Sequence, residues 1–169
     1  MSETEKRLHR CCFSGHRPEK IAGDEYAIVH WLYSAIQRAI DEGYQTFITG
    51  MARGVDIWAA EQVIRAKLSY PNVRLICAIP HPHFEISWGY EWQRRYHNVL
   101  DQSDLVKTIS TRRSLNRNND SYQIRNEWMV DHSSKLICVY NGQPSGTRNT
   151  IEYAQSHGLN IDCMRIPAN

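Results

Sequence analysis

Leu75-Ile76-Cys77-Ala78-Ile79 is an unbroken apolar run between Arg74 and Pro80. A strand with one wet face alternates apolar and polar residues, whereas a strand covered on both faces by helices reads as a continuous hydrophobic run. Leu136-Ile137-Cys138-Val139 has the same character. Working outward, further β-rich runs occupy 10–14, 45–49, 104–109 and 160–166, and the two apolar runs extend to 73–79 and 135–140. Helix-period segments lie between them. The clearest carries Ile28, Leu32, Ala35, Ile36, Ala39 and Ile40 on one face, after a capping Asp24 and before a terminating Gly43. A second, 55–68, presents Ala59, Val63 and Ala66 over a wide arc. A third spaces Trp88, Trp92, Tyr96, Val99 and Leu100 by about one turn, with Arg94 and Arg95 turned elsewhere. A fourth covers about 121–134, and a fifth runs from Thr147 to a stop at Gly158. Strand and helix in alternation predict an α/β fold, a three-layer Rossmann-like open, mostly parallel sheet with helices on both faces.

The bulk properties agree with one domain working in water. The chain has 169 residues, 41% hydrophobic and 22% charged, with formal net charge +2. Residues 1–9 read as a polar N-terminal extension and 10–169 as a single domain. Mean hydropathy is −0.56, and no apolar run approaches the roughly 20 residues that a bilayer crossing needs. The polar start, MSETEKRLHR, lacks the features of a secretory signal, and five cysteines form an odd set with Cys77 and Cys138 inside apolar runs. A reduced, cytoplasmic protein without a membrane partner is expected. The stretch 110–120 is the one long polar segment and is expected to form a flap.

In doubly wound sheets ligands bind beyond the carboxyl ends of the strands. Three loops there are rich in glycine and small polar residues: Ser14-Gly15-His16-Arg17-Pro18, Gly50-Met51-Ala52-Arg53-Gly54-Val55-Asp56, and 141–150, which ends Ser145-Gly146-Thr147-Arg148-Asn149-Thr150. Glycine lets backbone approach a ligand, and the unpaired amides of the following helix carry partial positive charge, so phosphate is the natural guest. Ser145, Thr147 and Thr150 add hydroxyls, and Arg17 and Arg53 can pair with anionic oxygens.

Several familiar sites are absent. There is no G-x-G-x-x-G after the first strand, and the second strand ends in Thr49-Gly50 where a ribose-binding carboxylate would stand. The phosphate-loop motif and the G-x-S-x-G nucleophile elbow are also missing. His81-Pro82-His83, with Glu85 near, falls short of a ligand set, and Cys11-Cys12 points its thiols to opposite faces, so no metal site is expected. The tryptophans of the third helix read as a packing stripe, and Arg112, Arg113 and Arg117 as a solvated loop rather than a nucleic-acid contact.

From Cys12 to about Gly158 the chain resembles the SLOG superfamily, the Rossmann-like group of DprA and the LOG phosphoribohydrolases, and is most similar to its YpsA-like branch. The resemblance rests on FSGHRP (13–18), TGMARGVDIWAA (49–60), RNEWMVD (125–131) and SGTRNTIEYA (145–154), in this order. It implies a pocket for a nucleotide or an ADP-ribose-like derivative, with Gly50, Gly54, Gly146 and Thr147 on the phosphate side and Arg17, Arg53 and Asp56 at the entrance. Arg125 and Asn126 would reach the same cleft. Together with Ser14, Gly15, His16, Met51, Ser145, Asn149 and Thr150, these are the expected ligand-binding residues.

The resemblance implies three functions. The first is a nucleotide-binding sensor or regulator needing no cofactor. The second is a LOG-type nucleotide N-glycosidase. That motif, G-G-x-G-T-x-x-E, puts its glutamate three residues after the threonine, whereas here the carboxylate arrives at Glu152, two positions later and rotated by roughly 200°. Glu152, Asp56 and His16 are the candidate acids or bases. The third is a DprA-like module for single-stranded DNA, since Ser145-Gly146-Thr147-Arg148-Asn149-Thr150 follows S-G-[ST]-x-x-T. Nucleic acid is the less favoured partner, and the tryptophan-rich helical faces lead us to expect a homo-oligomer.

Overall fold

The structure is a computed structural model and describes residues 1–116 and 120–168. Its elements are α1 (Glu3–Arg7), β1 (Arg10–Ser14), α2 (Glu25–Asp41), β2 (Thr46–Thr49), α3 (Val55–Lys67), β3 (Arg74–Ile79), α4 (Tyr90–Gln102), β4 (Leu105–Thr108), α5 (Ser121–Asp131), β5 (Lys135–Tyr140), α6 (Gly146–Ser156) and β6 (Asn160–Arg165). The six strands form one sheet in the order β4-β3-β2-β1-β5-β6, and every pairing is parallel. The chain walks outward from β1 to β4, then returns to lay β5 on the other side of β1. That reversal, between β1 and β5, is where such sheets open a crevice.

The side-chain period of two divides the core. Cys11, Phe13, Phe47, Leu75, Cys77, Ile137 and Val139 pack against α2, α3 and α4. Cys12, Ile48, Ala78, Leu136 and Cys138 pack against α5 and α6. Cys11 and Cys12 therefore point to opposite faces, both fully buried. Both faces of the central strands are sealed, which is why their sequences do not alternate.

Local signals act where they stand. Asp24 caps α2 by accepting from the Tyr26 N–H at 2.9 Å, and Gly43 follows the helix at φ 100°. Two features differ from the sequence reading. Residues 3–7, expected as plain extension, form a helix because Ser2 and Glu5 close a capping box and Arg10 holds Glu3 at 3.1 Å. The third helix starts at Tyr90 behind an N-cap Gly89, so Trp88 belongs to the preceding turn, where it packs edge-on against Phe84 and Tyr96. Where a flap is expected at 110–120, the Ser121 N–H donates to the Ser114 carbonyl at 2.8 Å, and Arg117 lies outside the described residues. Among the described residues no helix is long and apolar enough to cross a membrane.

Candidate functional site

A cavity of about 910 Å³ lies at the carboxyl edge of the sheet, lined from the loops after β1, β2, β3, β4 and β5 and from α5. The backbone there is clasped before any ligand is considered. The Val55 N–H donates to the His16 carbonyl at 3.3 Å, tying the β1 loop to the start of α3. This approach has no room for side chains: a Cβ on Gly15 would lie 2.4 Å from the Val55 Cβ, and one on Gly54, at φ 91°, would lie 2.5 Å from the His16 oxygen. The buried His16 ring in turn accepts the Asn141 N–H at Nε2, 3.0 Å away, and stacks on Tyr140. A backbone N–H can only donate, so Nε2 carries no proton and the ring is the neutral Nδ1–H tautomer. Burial, aided by Lys20, holds its pKa below the ordinary histidine value.

The glycines thus serve the protein more than the approach of a ligand that the sequence reading assigned them. Two of the first-turn amides of α3 are committed outside the helix ladder, Val55 to the His16 carbonyl and Ile57 to that of Ala52. Gly50, Met51 and Gly54 stand behind the cavity wall, with Met51 wholly buried at φ 62°. The start of α6 differs. Ser145 caps it by accepting from the Arg148 N–H at 3.2 Å, and among the described residues the Gly146 and Thr147 N–H groups meet no protein acceptor. A Cβ on Gly146 would meet nothing within 4 Å. Ser145, Gly146 and Thr147 line the cavity; Asn149 and Thr150 do not, and the Thr150 hydroxyl is returned to the Gly146 carbonyl at 2.9 Å.

Two buried charged groups lie on the cavity wall. Asp56, 7% exposed, accepts the Ala52 N–H at Oδ2, 3.3 Å away, while its Oδ1 is buried without a partner. Burial pushes its carboxyl up to about 6, against the opposing pull of Arg125 and of the Ala52 N–H. Arg125, 4% exposed, donates from Nη1 to the Gly50 carbonyl and from Nε to Asn126 Oδ1 at 2.8 Å. A Cβ on Gly50 would lie 2.9 Å from Asp56 Oδ2 and 3.0 Å from the Arg125 guanidinium carbon, so this glycine is the gap through which the two groups flank one backbone position.

Ser14, Gly15, His16, Arg17, Arg53, Asp56, Arg125, Asn126, Ser145, Gly146 and Thr147 all reach the cavity. Arg53 is bonded by both guanidinium ends to Glu19, at 2.8 and 3.2 Å. Glu152 is not on the wall: it faces solvent one turn from Arg148, which it holds at 3.0 Å. The wall also contains what the sequence reading missed. His81, Phe84, Trp88 and Tyr122 form an edge-to-face aromatic cluster at the end of β3, with Phe84 and Trp88 ring centroids 4.9 Å apart. Arg113 and Lys20 join Arg17, Arg53 and Arg125 in the cavity lining. The loop after β3 lies at the same carboxyl edge as the others; His81-Pro82-His83, which in sequence resembles part of a metal ligand set, here contributes the His81 ring to an aromatic wall. Among the described residues no three His, Cys, Asp or Glu side chains group to hold a metal.

Known proteins share this frame. The sequence model of the YspA SLOG family, YpsA, matches residues 11–166. The uncharacterized SPbeta prophage-derived protein YoqJ of Bacillus subtilis is 32% identical over 133 residues, covering 74% of this chain and 78% of that protein. The UPF0398 protein BH1768 of Halalkalibacterium halodurans is 30% identical over 108 residues, 64% of this chain and 56% of its own length. Among solved structures, DNA processing protein A (DprA) from Streptococcus pneumoniae superimposes with a TM-score of 0.62 at 16% identity, over 96% of this chain, which spans about half (51%) of that protein. DprA from Helicobacter pylori, described for its single-stranded DNA binding mode, gives 0.61 at 16% identity, over 95% of this chain and 66% of that one. At that identity the likeness is one of fold. The match over 11–166, on a parallel sheet with the crevice at its reversal point, makes this chain a member of the YspA SLOG family.

Proposed function

We propose that the chain binds a nucleotide or a nucleotide-derived metabolite and acts as a sensor or regulator. One observation carries this reading: the cavity has an anion-seeking end and an aromatic end. At the first, the unengaged amides of Gly146 and Thr147 open α6, and among the described residues the cavity lining carries Arg17, Lys20, Arg53, Arg113 and Arg125 against the one carboxylate of Asp56. Amides at a helix start and nearby guanidinium groups are what a phosphate needs. At the second, the Phe84 and Trp88 rings, beside the His81 imidazole, suit a base.

Thermal melting against nucleoside mono- and diphosphates, cyclic nucleotides and ADP-ribose tests the reading. A true ligand at a hundred times its Kd adds about 2.7 kcal/mol, a rise of several degrees in a domain of this size. A flat panel with cooperatively folded protein would overturn it.

A second reading, a site for single-stranded nucleic acid, is favoured by the basic side chains that line one cavity. It requires retardation of single strands that weakens steeply with salt as counterions are released. Salt-insensitive or absent retardation removes it. For the N-glycosidase alternative, Asp56 is the carboxylate that faces the cavity, and release of free base from nucleoside monophosphates, lost in Asp56→Asn, is the required result.

A further inference from the structure

The two strands that end the sheet set one pair of cysteines in register. β5 and β6 run parallel, and Cys138 of β5 is paired directly with Cys163 of β6, although all of α6 lies between them in the chain. Residues paired across neighbouring strands point to the same face, with strands roughly 4.8 Å apart. That spacing falls within the range of about 4.4–6.8 Å between Cα atoms over which two cysteines can be bridged. Neither residue lines the cavity.

The two thiols have different surroundings. Cys138 is fully buried on the face that packs against α5 and α6, whereas Cys163 is exposed on the outermost strand. Arg165, two residues further along β6 and so on the same face, lies over the Tyr140 ring at 5.2 Å. The Cys138 thiol and the Arg165 cation hold the Cys163 thiol below its ordinary value, at about 7, against the opposing effect of burial. The reactive thiolate is therefore plentiful at neutral pH. Cys11, Cys12 and Cys77 contrast with it: all three are buried, and burial pushes each thiol up, those of Cys12 and Cys77 to about 12.

We infer that Cys163 and Cys138 are a modification site for hydrogen peroxide, at which Cys163 is oxidised first and Cys138 then closes a reversible disulfide. The Cys163 thiolate attacks one peroxide oxygen and the O–O bond breaks. The other oxygen leaves as hydroxide and is protonated to water, while Cys163 becomes a sulfenic acid. Cys138 gives up its proton as its sulfur attacks that of Cys163, forming the S–S bond and expelling the hydroxyl as a second water. Two thiols and one peroxide thus give one disulfide and two waters, the sulfurs losing the two electrons that the peroxide gains. A bridge between adjacent strands must draw the Cβ atoms to about 3.8 Å, closer than the strand spacing, so it is strained and easily reduced. β6 has a neighbour on one side only and can shift to meet it.

Peptide mapping by mass spectrometry tests the inference on the full, reduced wild-type chain, exposed to hydrogen peroxide while folded and alkylated after unfolding. Alkylatable thiols should fall from the five of the sequence to three, with a cross-linked peptide pair carrying Cys138 and Cys163, and dithiothreitol should restore all five. Under the same dose Cys163→Ser should keep its other four thiols, and in Cys138→Ser dimedone should trap a sulfenic acid at Cys163. Five thiols surviving in the wild type, Cys163 oxidised beyond the sulfenic acid with Cys138 still alkylated, or two chains joined through Cys163 would each overturn the pairing. The wild-type map decides even if Cys138→Ser does not fold.

Discussion

His16 accepts the backbone N–H of Asn141 at 3.0 Å while its own carbonyl accepts that of Val55 at 3.3 Å, so one residue joins three of the loops around the cavity. Removing the ring strands a buried N–H. His16→Ala is expected to lose about 1–3 kcal/mol in chemical denaturation and to loosen the β5 loop.

Acid tests the same clasp. The folded pKa of His16 is depressed, so the unfolded chain binds the proton more readily. Its stabilising share is fully present above the ordinary value of 6.5 and is lost as pH falls toward the depressed one. A wild type more acid-resistant below pH 6.5 than a folded His16→Gln variant would contradict this.

Asp56 has the opposite sign. Its carboxyl rises from 3.8 to about 6 on folding, so between those values the native state holds the extra proton and stability falls as pH increases. Asp56→Asn, which keeps an acceptor for Ala52 and meets Arg125 without a charge, should stabilise the chain by about 1–3 kcal/mol at pH 7.5 and by nearly nothing below pH 4. Melting curves of the two proteins across that range provide the check. Such a gain, coupled to weaker ligand binding, is what a carboxylate retained for function produces.

The glycines separate cleanly. Gly15→Ala brings a Cβ to 2.4 Å from that of Val55 and should cost about 2–3 kcal/mol or prevent folding. Gly146→Ala enters open space at a helix start, so unfolding should change by less than about 0.5 kcal/mol. Equal destabilisation by both would show that the loops are not packed as described.

Glu152→Gln should alter neither ligand binding nor base release, because its carboxylate is exposed and engaged by Arg148 away from the cavity. Loss of either activity in a folded variant would return Glu152 to the site.

The sheet was legible because physical signals repeat along the chain: the unbroken apolar runs at 75–79 and 136–139 sit in β3 and β5, and Asp24 caps where a capping residue should. The three glycine-bearing loops were equally legible as loops at one edge. Their division of labour was not, because Gly15 and Gly54 are dictated by Val55 and the His16 carbonyl, partners about 40 residues away in sequence. The aromatic wall was missed since Trp88 keeps helical spacing with Trp92 although the helix begins only at Tyr90. Spacing reports a face, not the residue at which the helix starts.

In the proposed complex the anionic group of the ligand rests on the first amides of α6 and not on those of α3. Amide chemical shifts recorded while ADP is titrated into labelled protein read this directly. Gly146 and Thr147 should move most, with Val55 and Ile57 nearly still; saturable binding that shifts the α3 amides and leaves Gly146 and Thr147 in place would rule this placement out.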